Sequence, residues 1–305
     1  RVELVTRDDG FDPAAAKANA KAFQGDAGML AILHPEGTRQ AAAVMEAVPD
    51  MAIVGPISGT MALRAKAVPN VFYVRANYDD EMSKLVALAH TVGFRQIGMI
   101  HADDPFGHSL LSAFSTACST LGIKPAVVAT TPATTSLEVA PAAKRVAQAA
   151  PQMVIVGLAG TMPQMVRALR EAEFAGTLYG MSVGASTANI EALGPLARGL
   201  GFSVVVPSPF SLRYRLVREY QRDMNAAGSH EYTLPGLEGY VNARVLLEGM
   251  RQAGANPSRD SVLAALGRLG NLDLGGMRFN YSNGRREGGH FVDLVVVGAE
   301  NRLLS

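Results

Sequence analysis

The sequence predicts an α/β fold in which helices cover both faces of parallel sheets. Short apolar runs alternate with segments of helical period over the first two thirds of the chain, and this order is typical of parallel sheets. Runs such as MVIVG are apolar throughout, which indicates strands buried on both sides. The 305 residues, 48% hydrophobic and 18% charged, suffice for two ordinary domains with a sizeable core.

Strands and helices can be assigned in order along the chain. The predicted strands are VELVT, MLAIL, MAIVG, VFYV, QIGMI, AVVA, MVIVG, TLYG and FSVVV. The predicted helices between them are DPAAAKANAKAF, TRQAAAVMEAV, DEMSKLVALAHTV, GHSLLSAFSTAC and TMPQMVRALREA. After Pro207 two long helical patterns follow each other, SLRYRLVREYQRDMNAAG and LEGYVNARVLLEGMRQAG, and the chain ends on the strands MRFNY and HFVDLVVV.

Charge and cysteine content exclude several classes of protein. Lys and Arg number 28 against 27 Asp and Glu, and no run of four basic residues occurs, so nothing indicates binding to nucleic acid or to a membrane surface. Cys118 is the single cysteine and lies in a helical pattern, which excludes an intrachain disulfide and a thiol-ligated metal cluster. No apolar run approaches the roughly 18 residues of a membrane-spanning helix.

The loops that follow the predicted strands are the candidate ligand contacts, because ligands of parallel α/β sheets bind at the carboxyl ends of strands. Several of these loops combine glycine with a hydroxyl before a helical pattern: HPEGT, GPISGT, GLAGT and GMSVG. Any one of them is explained by a helix N-cap. Several on one sheet edge together indicate an anion-binding edge.

Catalytic and cofactor signals are weak by comparison. GMSVG matches the nucleophile elbow G-x-S-x-G at Ser182, with His290 downstream, but no HGGG-type loop precedes it and ASTANIEALG is a poor helical segment. His101 with Asp103 and Asp104 is read as a strand end and a helix cap, and no H-E-x-x-H occurs. Without G-x-G-x-x-G after the first strand, or G-x-x-x-x-G-K, nucleotide cofactors lack a phosphate cradle. We therefore expect that the protein is not an enzyme and that it binds neither a metal ion nor a cofactor.

Seven segments, in order over essentially the whole chain, resemble the type I periplasmic binding proteins, specifically the branched-chain amino-acid subfamily that serves ABC importers. They are RVELVTRDDGFDPAAAKANA, IVGPISGT, VFYVRANYDDE, IGMIHADDPFG, LREAEFAGTLYG, LEGYVNARVLLEGM and LGGMRFNYSNGRREGGHFVDL. The resemblance implies two doubly wound parallel-sheet lobes joined by three crossover strands, with ligand in the cleft between them. Lobe one is expected at 1–76 plus 207–277 and lobe two at 78–206 plus 278–305.

The resemblance also implies which residues bind ligand. The family uses the loop GPISGT to cradle a ligand carboxylate, and the loop HPEGT flanks it. Phe106 and Leu158 stand where members often carry tyrosines, which suggests an apolar wall for the ligand side chain. Glu36 and Asp80 are the candidate partners of a ligand ammonium. The full expected set is Glu36, Thr38, Ile57, Ser58, Gly59, Thr60, Tyr78, Asp80, Phe106, Leu158 and Ser182.

The sequence departs from the family at two places. Members begin with a further strand and helix, so we expect the natural protein to extend beyond Arg1, because an internal strand left out would expose unpaired backbone. In amino-acid binders an acidic residue pairs with the ligand ammonium where Ser182 stands here. Either Glu36 or Asp80 takes over and the ligand is an aliphatic amino acid, or the ligand is a keto or aromatic acid. We favour the amino acid, because those carboxylates would otherwise repel an anion.

The function expected from this resemblance is an extracytoplasmic solute receptor, periplasmic or tethered to the membrane. It binds a small carboxylate, most simply a branched-chain amino acid, and hands it to the permease of an ABC importer. We expect a monomer. The alternatives are a cytoplasmic ligand-sensing regulator on the same fold, which the absence of a signal peptide from the gene would support, and thirdly a hydrolase acting through Ser182.

Overall fold

The computed structural model describes residues 2–66 and 68–304, and its chain forms two compact units. Unit 1 comprises the chain up to Arg75 together with Glu238–His290, and unit 2 comprises Ala76–Leu237 together with the chain from Phe291. The chain therefore passes between the units three times. The lobe boundaries expected from the resemblance stay a prediction, and these units group 207–237 and 278–290 differently from it.

The described elements follow the predicted alternation of strand and helix. Up to Phe72 they are α1 (Pro13–Gly25), β1 (Ala31–Leu33), α2 (Thr38–Ala47), β2 (Ala52–Val54), α3 (Met61–Arg64) and β3 (Val71–Phe72). From Tyr78 to Val204 they are α4 (Tyr78–Thr91), β4 (Ile97–Ala102), α5 (Pro105–Thr120), β5 (Val127–Thr131), α6 (Ala140–Ala149), β6 (Met153–Gly157), α7 (Met162–Glu171), β7 (Thr177–Gly180), α8 (Thr187–Leu193) and β8 (Gly201–Val204). Short 3-10 helices lie at Ser182–Gly184 and Gly194–Ala197.

The last third of the chain is helical first and then extended, as the sequence predicts. Its elements are α9 (Arg215–Ala226), α10 (Leu234–Ala253), α11 (Arg259–Arg268), β9 (Leu272–Asp273), β10 (Arg278–Phe279), β11 (Asp293–Val297), a 3-10 helix (Ala299–Asn301) and β12 (Leu303–Leu304). None of the helices among the described residues combines the length and apolar character needed to cross a membrane.

Unit 1 is built on a three-stranded parallel sheet in the order β1-β2-β3. Its core joins apolar residues of α1 and α2 to the sheet, with Ala41, Val44, Ile53 and Val71 all at or below 5% exposure. Asp12 starts α1 by accepting hydrogen bonds from two amides of the first turn, which satisfies groups that a helix end otherwise leaves unpaired.

Unit 2 is built on a seven-stranded sheet in the order β12-β11-β8-β7-β6-β4-β5. The five strands β8, β7, β6, β4 and β5 are parallel, and β11 pairs antiparallel with β8. Every residue of β4 and β6 is buried. Met99 and Ile155 pack with α4 and α5 in one apolar cluster, and their neighbours along each strand face the opposite side because side chains alternate. The predicted α/β fold class is confirmed.

Two sequence predictions are wrong in detail. Residues 2–6, predicted as a strand, form none, because no described strand pairs with them, and Val2, Leu4 and Val5 are 57%, 72% and 43% exposed. The segment considered a poor helix after Ser182 does form α8, because the Ser186 side chain caps it by accepting from the Asn189 amide at 3.2 Å. A strand needs a partner, whereas a short helix needs only a cap and one buried face.

Candidate functional site

The loops that follow β1 and β2 lie side by side in unit 1. Glu36 and Ile57 form an isolated parallel bridge. The Ile57 amide donates to the Pro35 carbonyl at 2.8 Å, and the Gly37 amide donates to the Ile57 carbonyl at 3.2 Å. Because β1 and β2 are parallel neighbours, their carboxyl ends meet at one edge and bring HPEGT against GPISGT. The expected unit 1 residues are therefore adjacent.

Three hydroxyls gather where these loops meet. Thr38 Oγ1 and Ser58 Oγ lie 2.9 Å apart in a hydrogen bond that either can donate. Thr60 caps α3 by accepting from the Ala62 amide at 3.3 Å, and its own amide lies 3.4 Å from Ser58 Oγ. Ser58 is 1% exposed and Thr60 is fully buried. One proton serves the Thr38–Ser58 hydrogen bond, so the pair carries a second hydroxyl proton that this bond does not use.

The turn that carries GPISGT is fixed from α10. Gly55 has a φ of +66°, in the left-handed region that glycine adopts without strain. Its carbonyl accepts from Asn242 Nδ2 at 3.2 Å, and the same amide nitrogen lies 2.8 Å from His34 Nδ1. Burial lowers the pKa of His34, while Glu36 opposes that shift and Arg75 adds to it. A neutral His34 ring can accept a hydrogen bond from Asn242, so this asparagine links the residue after β1 to the turn after β2.

Arg64 supports the same loop from within unit 1. Its side chain is fully buried and pairs with Glu287 Oε2 at 2.8 Å. It also donates to the carbonyls of Ser58 at 3.3 Å and Arg75 at 3.2 Å, and its guanidinium lies 4.5 Å from the Tyr73 ring centroid. Burial lowers the pKa of Arg64, and the ion pair with Glu287 opposes that shift. Arg64 was missed in the sequence, where it lies in no predicted helix, strand or motif.

In unit 2 two of the expected apolar contacts are packed together. Tyr78 begins α4, is 2% exposed, and meets the ring of Phe106 edge to face with centroids 5.7 Å apart. Phe106 is partly exposed at the start of α5, directly after β4. Leu158 follows β6 and is fully buried. The carboxyl ends of these parallel strands share one edge, so the structure brings Phe106, Leu158 and Ser182 to that edge of the sheet.

Ser182 follows β7 and is bound to a buried carboxylate. Its hydroxyl donates to Glu81 Oε1 at 2.9 Å and its amide donates to Glu81 Oε2 at 3.0 Å. The Ser203 hydroxyl, on β8, donates to Glu81 Oε2 at 2.6 Å. Glu81 and Ser203 are fully buried, whereas Ser182 is partly exposed. This arrangement differs from a hydrolase, in which the nucleophilic hydroxyl donates to a histidine.

The acidic residues named from the sequence occupy other environments. Glu36 is exposed, and Asp80 is partly exposed, with its amide bonded to the Asn77 side chain at 2.8 Å. Glu81, the next residue, was missed because acidic residues in the first turn of a helix are explained by the helix dipole and do not by themselves indicate a site. Its neighbours in space, Ser182 and Ser203, are 101 and 122 residues away in the chain. Among the residues that the structure describes, no three His, Cys, Asp or Glu side chains are grouped to hold a metal ion.

The family model described as periplasmic binding protein matches residues 1–298. Solved structures resemble the chain over nearly its full length. A substrate-binding periplasmic protein from Ralstonia solanacearum has a TM-score of 0.88 and 26% identity, covering 98% of this chain and 86% of that one. An extracellular ligand-binding receptor from Verminephrobacter eiseniae ef01-2 has a TM-score of 0.89 and 26% identity, covering 99% and 88%.

A third structure carries a ligand name in its description. It is a possible leucine/isoleucine/valine-binding protein from Rhodopirellula baltica SH 1, with a TM-score of 0.90 and 25% identity, covering 99% of this chain and 85% of that one. Among curated proteins, none matches the sequence. The matching family model and these three structures describe binding proteins.

Proposed function

Because the chain belongs to the type I periplasmic binding proteins, we propose that it is the extracytoplasmic solute receptor of an ABC importer. Its partners are a small-molecule ligand and the importer's permease, and it performs no catalysis. The ligand is a small carboxylate, and an aliphatic, branched-chain amino acid is the proposed identity. The similarity to a possible leucine/isoleucine/valine-binding protein supports that class of ligand.

The observation that carries the carboxylate assignment is the cluster of three hydroxyls, on Thr38, Ser58 and Thr60, at the edge of unit 1. Thr38 and Ser58 share one hydrogen bond and hold two protons between them, so the pair offers a donor beyond its own needs. A carboxylate is an acceptor only, and a hydrogen bond to a charged group contributes about 1.5 to 3 kcal/mol. We assign the ligand carboxylate to residues 57–60, with Glu36 and Thr38 beside it.

The apolar part of the ligand is assigned to unit 2. Phe106 is partly exposed at the carboxyl edge of its sheet, where the buried ring of Tyr78 packs against it and the buried Leu158 follows β6. An aliphatic side chain that leaves water against such surface gains roughly 25 cal/mol per Å² of area buried. Asp80 and Glu36 are the acidic residues that we propose, from the resemblance, as partners of a ligand ammonium.

The test is binding of a panel of amino acids and 2-oxo acids by calorimetry, comparing the wild type with Ser58→Ala/Thr60→Ala. The double variant is expected to bind at least about tenfold more weakly, since two hydroxyls that face the carboxylate are lost and tenfold corresponds to about 1.4 kcal/mol. The matched control is Ser112→Ala/Thr116→Ala, which removes the same two hydroxyl types from exposed positions on α5.

The control should bind as the wild type does. Equal affinities of the wild type and Ser58→Ala/Thr60→Ala would remove the carboxylate from this loop. A wild type that binds no member of the panel would remove the proposed ligand class altogether.

A further inference from the structure

Glu81 fixes the direction of the hydrogen bonds around Ser182. A carboxylate only accepts, and both of its oxygens are engaged: Oε1 by the Ser182 hydroxyl, and Oε2 by the Ser182 amide and the Ser203 hydroxyl. The proton of the Ser182 hydroxyl is therefore committed to Glu81. What the Ser182 oxygen can offer a further group is its acceptor capacity.

This arrangement also places a negative charge behind that oxygen. Glu81 is fully buried on α4 and lies 2.9 Å from Ser182 Oγ, whereas Ser182 is partly exposed at the carboxyl end of β7. A donor bound to Ser182 Oγ at ordinary hydrogen-bond length would lie roughly 5 Å from the carboxylate. At such a separation an opposite charge is favoured and a like charge is disfavoured.

We propose that Glu81 is a specificity-determining residue that acts through Ser182, making this serine an acceptor that selects a ligand ammonium over a keto oxygen. The inference rests on the proposed function, because it takes Ser182 as a ligand contact. Glu81 supplies from α4 the negative charge that a serine after β7 lacks. The keto oxygen of a 2-oxo acid is an acceptor, as is Ser182 Oγ, so no hydrogen bond forms between them.

The variant Glu81→Gln gives a directional test, because the donors from Ser182 and Ser203 favour one placement of the glutamine amide. The Ser182 amide and the Ser203 hydroxyl both donate to the position of Oε2, so the glutamine carbonyl oxygen takes that place. The glutamine NH₂ then takes the place of Oε1 and donates to Ser182 Oγ. The Ser182 proton is released toward the ligand, and the serine becomes a donor suited to a keto oxygen.

The experiment measures the affinities of leucine and 4-methyl-2-oxopentanoate by calorimetry at neutral pH. The readout is the ratio of the two affinities, which loss of structure alone would not reverse. In Glu81→Gln the ratio of leucine to oxo-acid affinity is expected to fall at least about tenfold, the size of one hydrogen bond to a charged group. In Ser182→Ala, which keeps the carboxylate and removes the acceptor, the ratio should fall in the same direction.

Ser203→Ala is the matched control, because it removes a donor to the same buried carboxylate but leaves both Ser182 bonds in place. Its ratio should equal that of the wild type. If Glu81→Gln fails to fold, as thermal unfolding would show, Ser182→Ala decides the matter. Ratios unchanged in the folded variants would overturn the inference while leaving the proposed function intact. A wild type that binds neither ligand nor any other small carboxylate would overturn the proposed function and the inference with it.

Discussion

Replacing Arg64 by methionine tests whether the buried ion pair holds the proposed carboxylate loop. The side chain is fully buried, pairs with Glu287 at 2.8 Å and donates to the carbonyls of Ser58 and Arg75. Removing one partner of a buried pair costs about 3 to 5 kcal/mol. The Glu287 side chain is 28% exposed, so water can hydrate its carboxylate when Arg64 is removed, and the ion-pair loss falls toward the lower end of that range.

The two carbonyls add to that loss, at about 1 kcal/mol for each hydrogen bond. Methionine keeps part of the contact with the Tyr73 ring, which limits the cavity term. We expect the free energy of unfolding to fall by about 5 kcal/mol in total. Urea unfolding of the ligand-free protein measures it, followed by far-ultraviolet circular dichroism because the chain contains no tryptophan.

The matched control is Arg222→Met, whose ion pair with Asp223 is exposed, at 70% and 44% of the two side chains. An exposed pair contributes little, so this variant should stay within about 0.5 kcal/mol of the wild type. A loss below about 1 kcal/mol in Arg64→Met would contradict this expectation. It would mean that the loop at Ser58 is held without the guanidinium.

Three further outcomes follow from burial and backbone geometry. Burial lowers the pKa of His34 from 6.5, so the unfolded chain takes up the proton first and the free energy of unfolding falls as the pH drops below 6.5. Asparagine tolerates the φ of 61° at this position, so His34→Asn should lose less stability than the wild type between pH 7 and 5. An equal loss in both proteins would count against this assignment. Burial raises the pKa of Cys118 from 9.0 to about 11, so iodoacetamide at pH 8 should label this thiol only as fast as the protein unfolds. The free energy of unfolding should also decline as the pH rises above 9, because the thiol of the unfolded chain ionises first. Rapid labelling of the folded protein would contradict this expectation. Gly55→Ala should lower the free energy of unfolding by at least about 2 kcal/mol more than Gly122→Ala does. Both glycines have a φ near +65°, but only at Gly55 would a Cβ overlap the Asn242 side chain. Equal urea midpoints of the two variants would argue against this.

The regular part of the fold was predictable because its strands and helices carry their own periodicity. MVIVG gives β6 and TMPQMVRALREA gives α7 almost to the residue. The helices α6 and α11 were not predicted, because each is only ten residues long and buries three residues, which leaves a weak periodic signal. The strand expected at residues 2–6 failed because pairing is a property of two segments, and periodicity in one of them cannot supply it.

The unit 1 edge was the most predictable part of the site. Strand ends in a parallel sheet must meet, so Thr38 and Ser58 could be placed together before their 2.9 Å contact was seen. Arg64 could not, because its partner Glu287 lies 223 residues further along the chain. Glu81 was hidden for the same reason, since its donors are Ser182, which follows β7, and Ser203, which lies in β8. Long-range pairs of charged and polar groups leave no local pattern in a sequence.

The ligand that copurifies with the protein shows whether it is, as we propose, a receptor for a small carboxylate. Protein purified without added ligand is denatured, and the small molecules released are identified and quantified by mass spectrometry. We expect a compound with one free carboxylate and an aliphatic side chain, an amino acid in the first instance. Its yield should fall in Ser58→Ala/Thr60→Ala but not in Ser112→Ala/Thr116→Ala. Release of a compound without a carboxylate, with a yield unaffected by both double variants, would contradict it.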